Sequence, residues 1–127
     1  MKIYGIGTDI VKVSRIKNSL KKSSFLSKIY NRREVVKCKR VKNSFNCFAK
    51  RFAAKEAFSK ALGTGISKGI NFNQIVVLNE KNGKPFIKLI EDTKKNVEKK
   101  LRKKSYKISL SLTDEDEFAV AFVTICL

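Results

Sequence analysis

The sequence contains no histidine, one proline, six glycines and three cysteines in 127 residues. The absence of histidine excludes imidazole-based catalytic triads, histidine-ligated metals and imidazole acid–base chemistry. The low proline and glycine content excludes collagen-like and linker-like chains. Every apolar run is shorter than the roughly 18–20 residues that a membrane-spanning helix needs. Any catalysis must therefore use carboxylates, lysine, tyrosine, cysteine, hydroxyls or a bound metal.

Size and hydrophobic content predict one globular domain that extends over 1–127. Hydrophobic residues make up 43% of the chain, which is enough for a single core and excludes a wholly disordered basic tail. The first residues, MKIYGIGTDIV, have no continuous apolar core and no small-residue cleavage site, so they are not typical of a signal peptide. We expect a cytoplasmic protein.

Acidic residues are scarce, since 11 Asp and Glu stand against 29 Lys and Arg, giving a formal net charge of +18. Such a charge favours an acidic partner, which includes nucleic acids, anionic membranes and acidic proteins or cofactors. A lysine-rich composition explains part of the excess. The basic residues are spread along the chain and do not alternate with aromatic residues, as a platform for single-stranded nucleic acid would require.

The three cysteines, Cys38, Cys47 and Cys126, show no Cys-x-x-Cys spacing. An odd number without that spacing argues against a zinc site and against a disulfide framework. We expect reduced, buried or half-buried thiols.

Hydrophobic periodicity predicts an α+β fold with a mainly antiparallel sheet packed against one long helix. Asn31 and Glu34 match a capping box, Ser14 is the expected N-cap of the first helix, and Gly63 is the expected end of the long helix. The predicted elements are a strand at 2–11, short basic helices within 14–40, a helix at 43–62, strands at 72–79 and 86–90 around an Asn82-Gly83 turn, a helix at 91–104, and a hairpin of 106–113 and 118–127.

Asp9 lies on a strand face with two glycines, Gly5 and Gly7. Because glycines leave that face without bulk, something can approach the backbone closely there, and the Asp9 carboxylate could hold a ligand. Capping of the next helix is the alternative role for Asp9, although Ser14 is the better N-cap.

Glu56 continues an aromatic line on the long helix, because steps of four residues place Phe48, Phe52, Glu56 and Lys60 on one line. An ordinary Glu56–Lys60 pair at i and i+4 is the alternative, and periodicity alone slightly favours this pair over a ligand role. The neighbouring line consists of small residues that allow close packing, namely Ala49, Ala53, Ala57 and Ala61.

Two glycine segments do not match known phosphate-binding loops. GIGTDI has Ile10 where the dinucleotide fingerprint has its third glycine, and KALGTGI follows a helix and lacks the GK[ST] of a P-loop. Anion binding at a helix C-terminus would need Lys60, backbone N–H groups and a metal. The residues alone thus provide two carboxylates, a lysine and a permissive turn, which suit a divalent cation holding a phosphate.

Three segments resemble the holo-[acyl-carrier-protein] synthase family of 4′-phosphopantetheinyl transferases. They are GIGTDIV with the following RI, the string AKRFAAKEAFSKALGTGI with FNQIVVLNEKNGKP after it, and, more weakly, SLTDEDEFAVA. The resemblance covers nearly the whole chain, and the long central string makes a chance match implausible.

The resemblance implies a homotrimer with active sites at the subunit interfaces. It implies transfer of 4′-phosphopantetheine from coenzyme A to a serine of acyl carrier protein, with release of adenosine 3′,5′-bisphosphate. The reaction would depend on Mg²⁺ and belong to fatty acid biosynthesis, with neither nucleic acid nor membrane as a partner.

The resemblance also implies roles for individual residues. Asp9 and Glu56 match the metal ligands, and together with Lys60 they form the expected catalytic set. Lys60 is expected to contact the coenzyme phosphates, and the positions close to the coenzyme are Arg51, Gly63, Thr64, Gly65 and Pro85. Arg15 is the candidate contact for the carrier protein, with Lys12 or Lys22 beside it. The general base stays open between a metal-bound water and a nearby carboxylate, with Glu34 as a second candidate.

One departure concerns Asp114, which stands where many family members have histidine. An anionic Asp114 cannot hold a coenzyme phosphate, so another Lys or Arg would have to compensate. Two other hypotheses remain at this point. One is a nucleic-acid-binding module, suggested by charge alone, and the other is a family member that has lost catalysis.

Overall fold

The computed structural model describes residues 2–67 and 69–127 and confirms the α+β fold. Among these residues no helix is long and apolar enough to cross a membrane. The elements in chain order are β1 (Ile3–Lys12), α1 (Val13–Ser19), α2 (Ser23–Ile29), α3 (Arg32–Arg40), α4 (Ser44–Leu62), a 3₁₀ turn (Phe72–Gln74), β2 (Ile75–Asn79), β3 (Pro85–Leu89), α5 (Glu91–Leu101), β4 (Lys107–Asp114) and β5 (Phe118–Cys126).

The strands form two sheets, in which every pair over the described ranges is antiparallel. One sheet has three strands in the order β1-β5-β4, and the other is the β2-β3 hairpin. The predicted terminal hairpin is confirmed, and its second strand also pairs with β1. The two ends of the chain therefore meet in one sheet, which places Asp9 opposite Ala121.

The alanine line of α4 packs against β1, as the close-packing pattern predicted. Ala57 and Ala61 are buried, and a Cβ atom added to Gly7 or Gly5 would collide with the carbonyl oxygens of Ala57 and Ala61, respectively. The glycine face of β1 is thus filled by the backbone of α4 rather than by a ligand. This packing brings Asp9, the next residue on that face, alongside the same helix.

The helix ends confirm some of the expected caps and correct one. Asn31 and Glu34 form the capping box, and Gly63 ends α4 with φ of 90°. Ser14 is not an N-cap, because α1 already begins at Val13, whose N–H donates to the carbonyl oxygen of Glu117 at 2.8 Å. A contact with the distant β4–β5 turn has therefore replaced the local cap.

Cys38 and Cys47 form a disulfide with a Cα–Cα distance of 5.4 Å. The expectation of reduced thiols is wrong for this pair, because the short connection between α3 and α4 places the two side chains against each other. Cys126 is a free, half-buried cysteine, as expected.

A buried ion pair joins α3 to α4. Lys55 Nζ lies 2.7 Å from Glu34 Oε1, and both side chains are fully buried. The Glu34 carboxylate also accepts the N–H groups of Asn31 at 2.9 Å and Val77 at 3.0 Å, while Lys55 donates to the carbonyl oxygen of Phe72 at 2.8 Å. Burial lowers the pKa of Lys55 to about 8. These bonds fix α4 relative to α3 and β2.

Candidate functional site

Asp9 and Lys60 meet at the surface between β1 and α4. Lys60 Nζ lies 3.2 Å from Asp9 Oδ1 and donates to the carbonyl oxygen of Thr8 at 3.0 Å. The Lys60 side chain keeps 53% of its surface exposed, against 16% for Asp9. Lys60 is thus held at its ammonium end, yet it remains open to a ligand from solvent.

Glu56 lies one helical turn before Lys60 and close enough to Asp9 for the two carboxylates to repel each other. Burial, followed by the charge of Asp9, raises the pKa of Glu56, while Lys60 and Arg15 oppose that shift. In the part of the chain that is described, Lys60 forms its ion pair with Asp9 rather than with Glu56. The interpretation of Glu56 as the partner of Lys60 in an ordinary i and i+4 pair is therefore wrong. We call Asp9, Glu56 and Lys60 the carboxylate–lysine cluster.

The carboxylate–lysine cluster fits the way proteins hold magnesium. Over residues 2–67 and 69–127 there is no group of three or more His, Cys, Asp or Glu side chains that could hold a metal by itself. Mg²⁺ keeps several waters and is usually held by one or two carboxylates together with substrate phosphates. Two neighbouring carboxylates, of which Glu56 has a raised pKa through crowding and burial, are a suitable donor set for such an ion.

The turn after α4 lies beside Lys60. Gly63 and Gly65 have positive φ values of 90° and 65°, and a side chain added at either position would enter open space. The N–H groups of Gly63, Thr64 and Gly65 all point to the carbonyl oxygen of Ser59, at 3.1, 3.3 and 3.2 Å. These N–H groups therefore cap the helix. The turn leaves room for a ligand, but its N–H groups are already used as donors to Ser59.

Arg51 belongs to a different part of the surface. It is only 4% exposed, its Nη2 donates to Asn79 Oδ1 at 2.9 Å, and its Nε is buried without a hydrogen-bond partner among the described residues. Burial lowers the pKa of Arg51, against the opposing charge of Glu34. The guanidinium forms part of the wall of a cavity of about 410 Å³, which we call the basic cavity. Other charged or polar residues that line this cavity include Lys37, Lys42, Lys50, Asn79 and Asp114.

Asp114 is neutralised inside the basic cavity. Lys50 Nζ lies 3.3 Å from Asp114 Oδ1, and Asn46 donates to Asp114 Oδ2 at 3.0 Å. Lys50 thus offsets the negative charge of Asp114, and the cation that would replace the family histidine at a coenzyme phosphate stays a prediction. Sequence reasoning missed Lys50, although its position next to Arg51 on the predicted helix was the available signal.

The predicted site residues thus fall into two groups within one chain. Arg51 and Glu56 are five residues apart, so their side chains leave α4 about 140° apart around the helix axis. Pro85 pairs with Asn79, the hydrogen-bond partner of Arg51, and so lies with the basic cavity. The Gly63–Gly65 turn lies with the carboxylate–lysine cluster.

Arg15 belongs to α1 and lies beside the carboxylate–lysine cluster. Its Cζ atom is 5.7 Å from the centre of the Phe52 ring, and its charge acts on the carboxylate of Glu56. Lys12 and Lys22 are exposed. Of the candidate contacts for a partner, Arg15 therefore borders the cluster.

Known proteins match this chain over nearly its whole length. A model of the 4′-phosphopantetheinyl transferase superfamily matches residues 5–123. Holo-[acyl-carrier-protein] synthase of Pelagibacter ubique is 44% identical over 97% of this chain and 96% of its own.

Two solved structures of holo-[acyl-carrier-protein] synthases have a similar fold. The crystal structure of holo-[acyl-carrier-protein] synthase from Neisseria meningitidis has a TM-score of 0.87 at 38% identity, over 97% of this chain and 98% of that one. That of the Bacillus anthracis protein, in complex with CoA (3′,5′-ADP), has a TM-score of 0.82 at 35% identity, over 99% and 98%.

The α+β fold and the paired carboxylates beside a lysine define a transferase domain of a known class. The chain belongs to the 4′-phosphopantetheinyl transferase superfamily, among the holo-[acyl-carrier-protein] synthases.

Proposed function

We propose that this protein transfers 4′-phosphopantetheine from coenzyme A to a serine of apo acyl carrier protein, releasing adenosine 3′,5′-bisphosphate. The carboxylate–lysine cluster is the observation that carries the proposal. The names of the relatives and the coenzyme complex of the Bacillus anthracis protein support it. The proposal places the reaction in the cytoplasm and in fatty acid biosynthesis.

Asp9 and Glu56 would hold Mg²⁺ together with the pyrophosphate of coenzyme A. When bound, the ion supplies neutralisation of the charge that develops on the leaving phosphate. Removing charge repulsion between the two carboxylates would also stabilise the site, because burial first and the charge of Asp9 second raise the pKa of Glu56.

Lys60 has the position needed to hold a coenzyme phosphate. Its ammonium is fixed by Asp9 and by the carbonyl oxygen of Thr8, and its exposed surface leaves room for an anion. A lysine fixed in this way stabilises charge in the transition state without having to reorganise. The nucleophile is the serine of the carrier protein, so the enzyme needs no covalent intermediate.

Glu34 does not suit the role of general base that was considered for it. Its carboxylate is fully buried and accepts hydrogen bonds from Lys55 and from two backbone N–H groups. The remaining candidates are a metal-bound water and a carboxylate of the cluster.

The basic cavity would bind a second anionic part of the coenzyme. Arg51 brings a buried guanidinium with one N–H group that has no partner among residues 2–67 and 69–127, and Lys37 and Lys42 add charge around it. Because Arg51 and the cluster point away from each other in one chain, we propose that each active site combines the cluster of one copy with the basic cavity of the next. A homotrimer with sites at its interfaces satisfies this requirement.

Arg15 would contact the carrier protein, which is expected to be acidic. A positively charged surface beside the cluster would steer such a partner toward it and raise the rate of association. Lys12 and Lys22 lie near Arg15 in the sequence and are ordinary exposed lysines in the structure.

The direct test is a mass measurement on apo acyl carrier protein mixed with coenzyme A, Mg²⁺ and this enzyme. We expect addition of one phosphopantetheine group and its loss when a chelator is present. Asp9→Asn should lower the rate on the order of a hundredfold, whereas Glu80→Gln in the exposed β2–β3 turn should not change it. No addition with any divalent metal would contradict the proposal, and it would support the hypothesis of a member that has lost catalysis.

A further inference from the structure

The Cys38–Cys47 disulfide lies in the wall of the basic cavity, and its two sulfurs have different access. Cys38 is fully buried, whereas Cys47 is 7% exposed and lines the cavity. A small molecule in the cavity therefore meets Cys47 rather than Cys38.

The surroundings of Cys47 are strongly positive. Arg51 Nη1 lies 3.2 Å from Cys47 Sγ, and the Nε atom of the same guanidinium has no partner within the described residues. A guanidinium beside a cysteine favours its thiolate, which is the reactive form in disulfide exchange. Lys37 and Lys42 in the same wall favour the entry of small acidic molecules.

We propose that Cys47 is a thiol–disulfide exchange site for small acidic thiols and disulfides, with Cys38 as the resolving cysteine. In the oxidising direction, the Cys47 thiolate attacks one sulfur of a small disulfide. This forms a mixed disulfide and releases one small thiolate. The Cys38 thiol then loses its proton and attacks Cys47 Sγ, which releases the second small thiolate and closes the observed bond. Two electrons pass from the protein dithiol to the small disulfide, and reduction by two small thiols is the reverse.

The exchange would change the basic cavity, because the disulfide fixes both ends of the segment 39–46. Val41, Lys42, Asn43 and Asn46 of this segment line the cavity. This consequence rests on the proposed function, in which the cavity binds part of the coenzyme. Coupling of two sites through one element commonly changes affinity by about fivefold or more, and the change is reciprocal.

The first test traps the exchange in a Cys126→Ser background, so that only the pair is counted. The protein is incubated with mixtures of reduced and oxidised glutathione, an acidic thiol, and then alkylated and weighed. We expect the pair to equilibrate with the mixture, and we expect Cys38→Ser to accumulate glutathione on Cys47. Equal modification of Cys38 in Cys47→Ser, or a pair that stays oxidised in excess glutathione while the protein is folded, would overturn the proposal.

The second test measures the coupling through binding of adenosine 3′,5′-bisphosphate, which has no thiol, by calorimetry. The oxidised protein should bind it about fivefold or more tightly than the reduced protein. At a saturating concentration, the same ligand should shift the value of [GSH]²/[GSSG] at which half of the protein is reduced by an equal factor. Equal affinities would overturn the coupling. Failure of the transfer reaction would leave the trapping result intact, so failures of the two proposals can be distinguished.

Discussion

Glu56 combines the metal-ligand role that we propose for it with a cost in stability. It closes the aromatic line of α4, where Phe52 stacks on Phe25 and Phe72 with ring centroids 6.2 and 5.7 Å away. The periodicity of the sequence placed Glu56 on this line, but it slightly favoured a simple pair with Lys60. Only the approach of β1 to α4, which depends on Gly5 and Gly7, decides that Lys60 pairs with Asp9 instead.

The raised pKa of Glu56 predicts opposite effects of Glu56→Gln on stability and on activity. Because the folded chain holds this proton more tightly than the unfolded chain, Glu56 contributes stability below its unfolded pKa and loses it as pH rises through the folded pKa. At pH 7 without metal, Glu56→Gln should therefore raise the melting temperature, while the transfer rate falls on the order of a hundredfold.

Thermal unfolding followed by circular dichroism at pH 4 and pH 7, without metal, checks this prediction. The gain in melting temperature should be present at pH 7 and shrink at pH 4, where wild-type Glu56 is protonated. Lys81→Gln in the exposed β2–β3 turn serves as the control. A variant that loses stability at pH 7 would contradict a Glu56 pKa raised by burial and by the charge of Asp9.

At the scale of elements, the Glu34–Lys55 pair connects α3, α4 and β2. The capping box at Asn31 and Glu34 was readable from the sequence, but the ion pair was not, because Lys55 lies 21 positions away on another helix. The same limit applies to the disulfide. Spacing alone gave no reason to pair Cys38 with Cys47. The pairing depends on the path of the connection between α3 and α4.

Breaking this buried pair should strongly destabilise the fold. Removal of one partner leaves an uncompensated buried charge, so Lys55→Met alone should lower the free energy of unfolding by about 3–5 kcal/mol. Combining it with Glu34→Gln, which keeps an oxygen acceptor for one of the N–H groups of Asn31 and Val77, should cost less than the sum of the two single changes.

Urea unfolding of the single and double variants measures this coupling. Glu80→Gln and Lys81→Met, which lie in the exposed β2–β3 turn, form the matched control pair and should behave additively. Additive losses at Glu34 and Lys55 would mean that the pair is not coupled as its 2.7 Å separation implies.

For the whole molecule, the outer face of the three-stranded sheet is the main unexplained surface. Its large exposed side chains include Ile6 at 61%, Ile10 at 63% and Phe122 at 45%. Exposed apolar patches of this kind commonly mark interaction sites. The sequence predicted the alternation of β1, and with it this face, but a single chain does not show what covers it. A second and third copy of the chain are the occupants that the proposed trimer requires.

A charge on this face should therefore prevent assembly. Ile6→Lys or Phe122→Lys should convert trimers into monomers that remain folded, because both side chains are already exposed within one chain. Light scattering coupled to size-exclusion chromatography gives the mass, and circular dichroism checks the fold. Glu80→Lys, which adds the same positive side chain away from the sheet, should remain trimeric. Trimers in all variants would place the interface elsewhere.

The central claim is that one active site takes its carboxylate–lysine cluster from one copy and its basic cavity from another. The most direct test uses two inactive variants, Glu56→Gln and Arg51→Ala. Equal amounts of the two are mixed, unfolded and refolded together. Random assembly gives about a quarter of the interfaces an intact cluster and an intact cavity, so about a quarter of the wild-type transfer rate should return. Each variant refolded alone is the control. A mixture no more active than the average of the two separate variants would contradict the shared site.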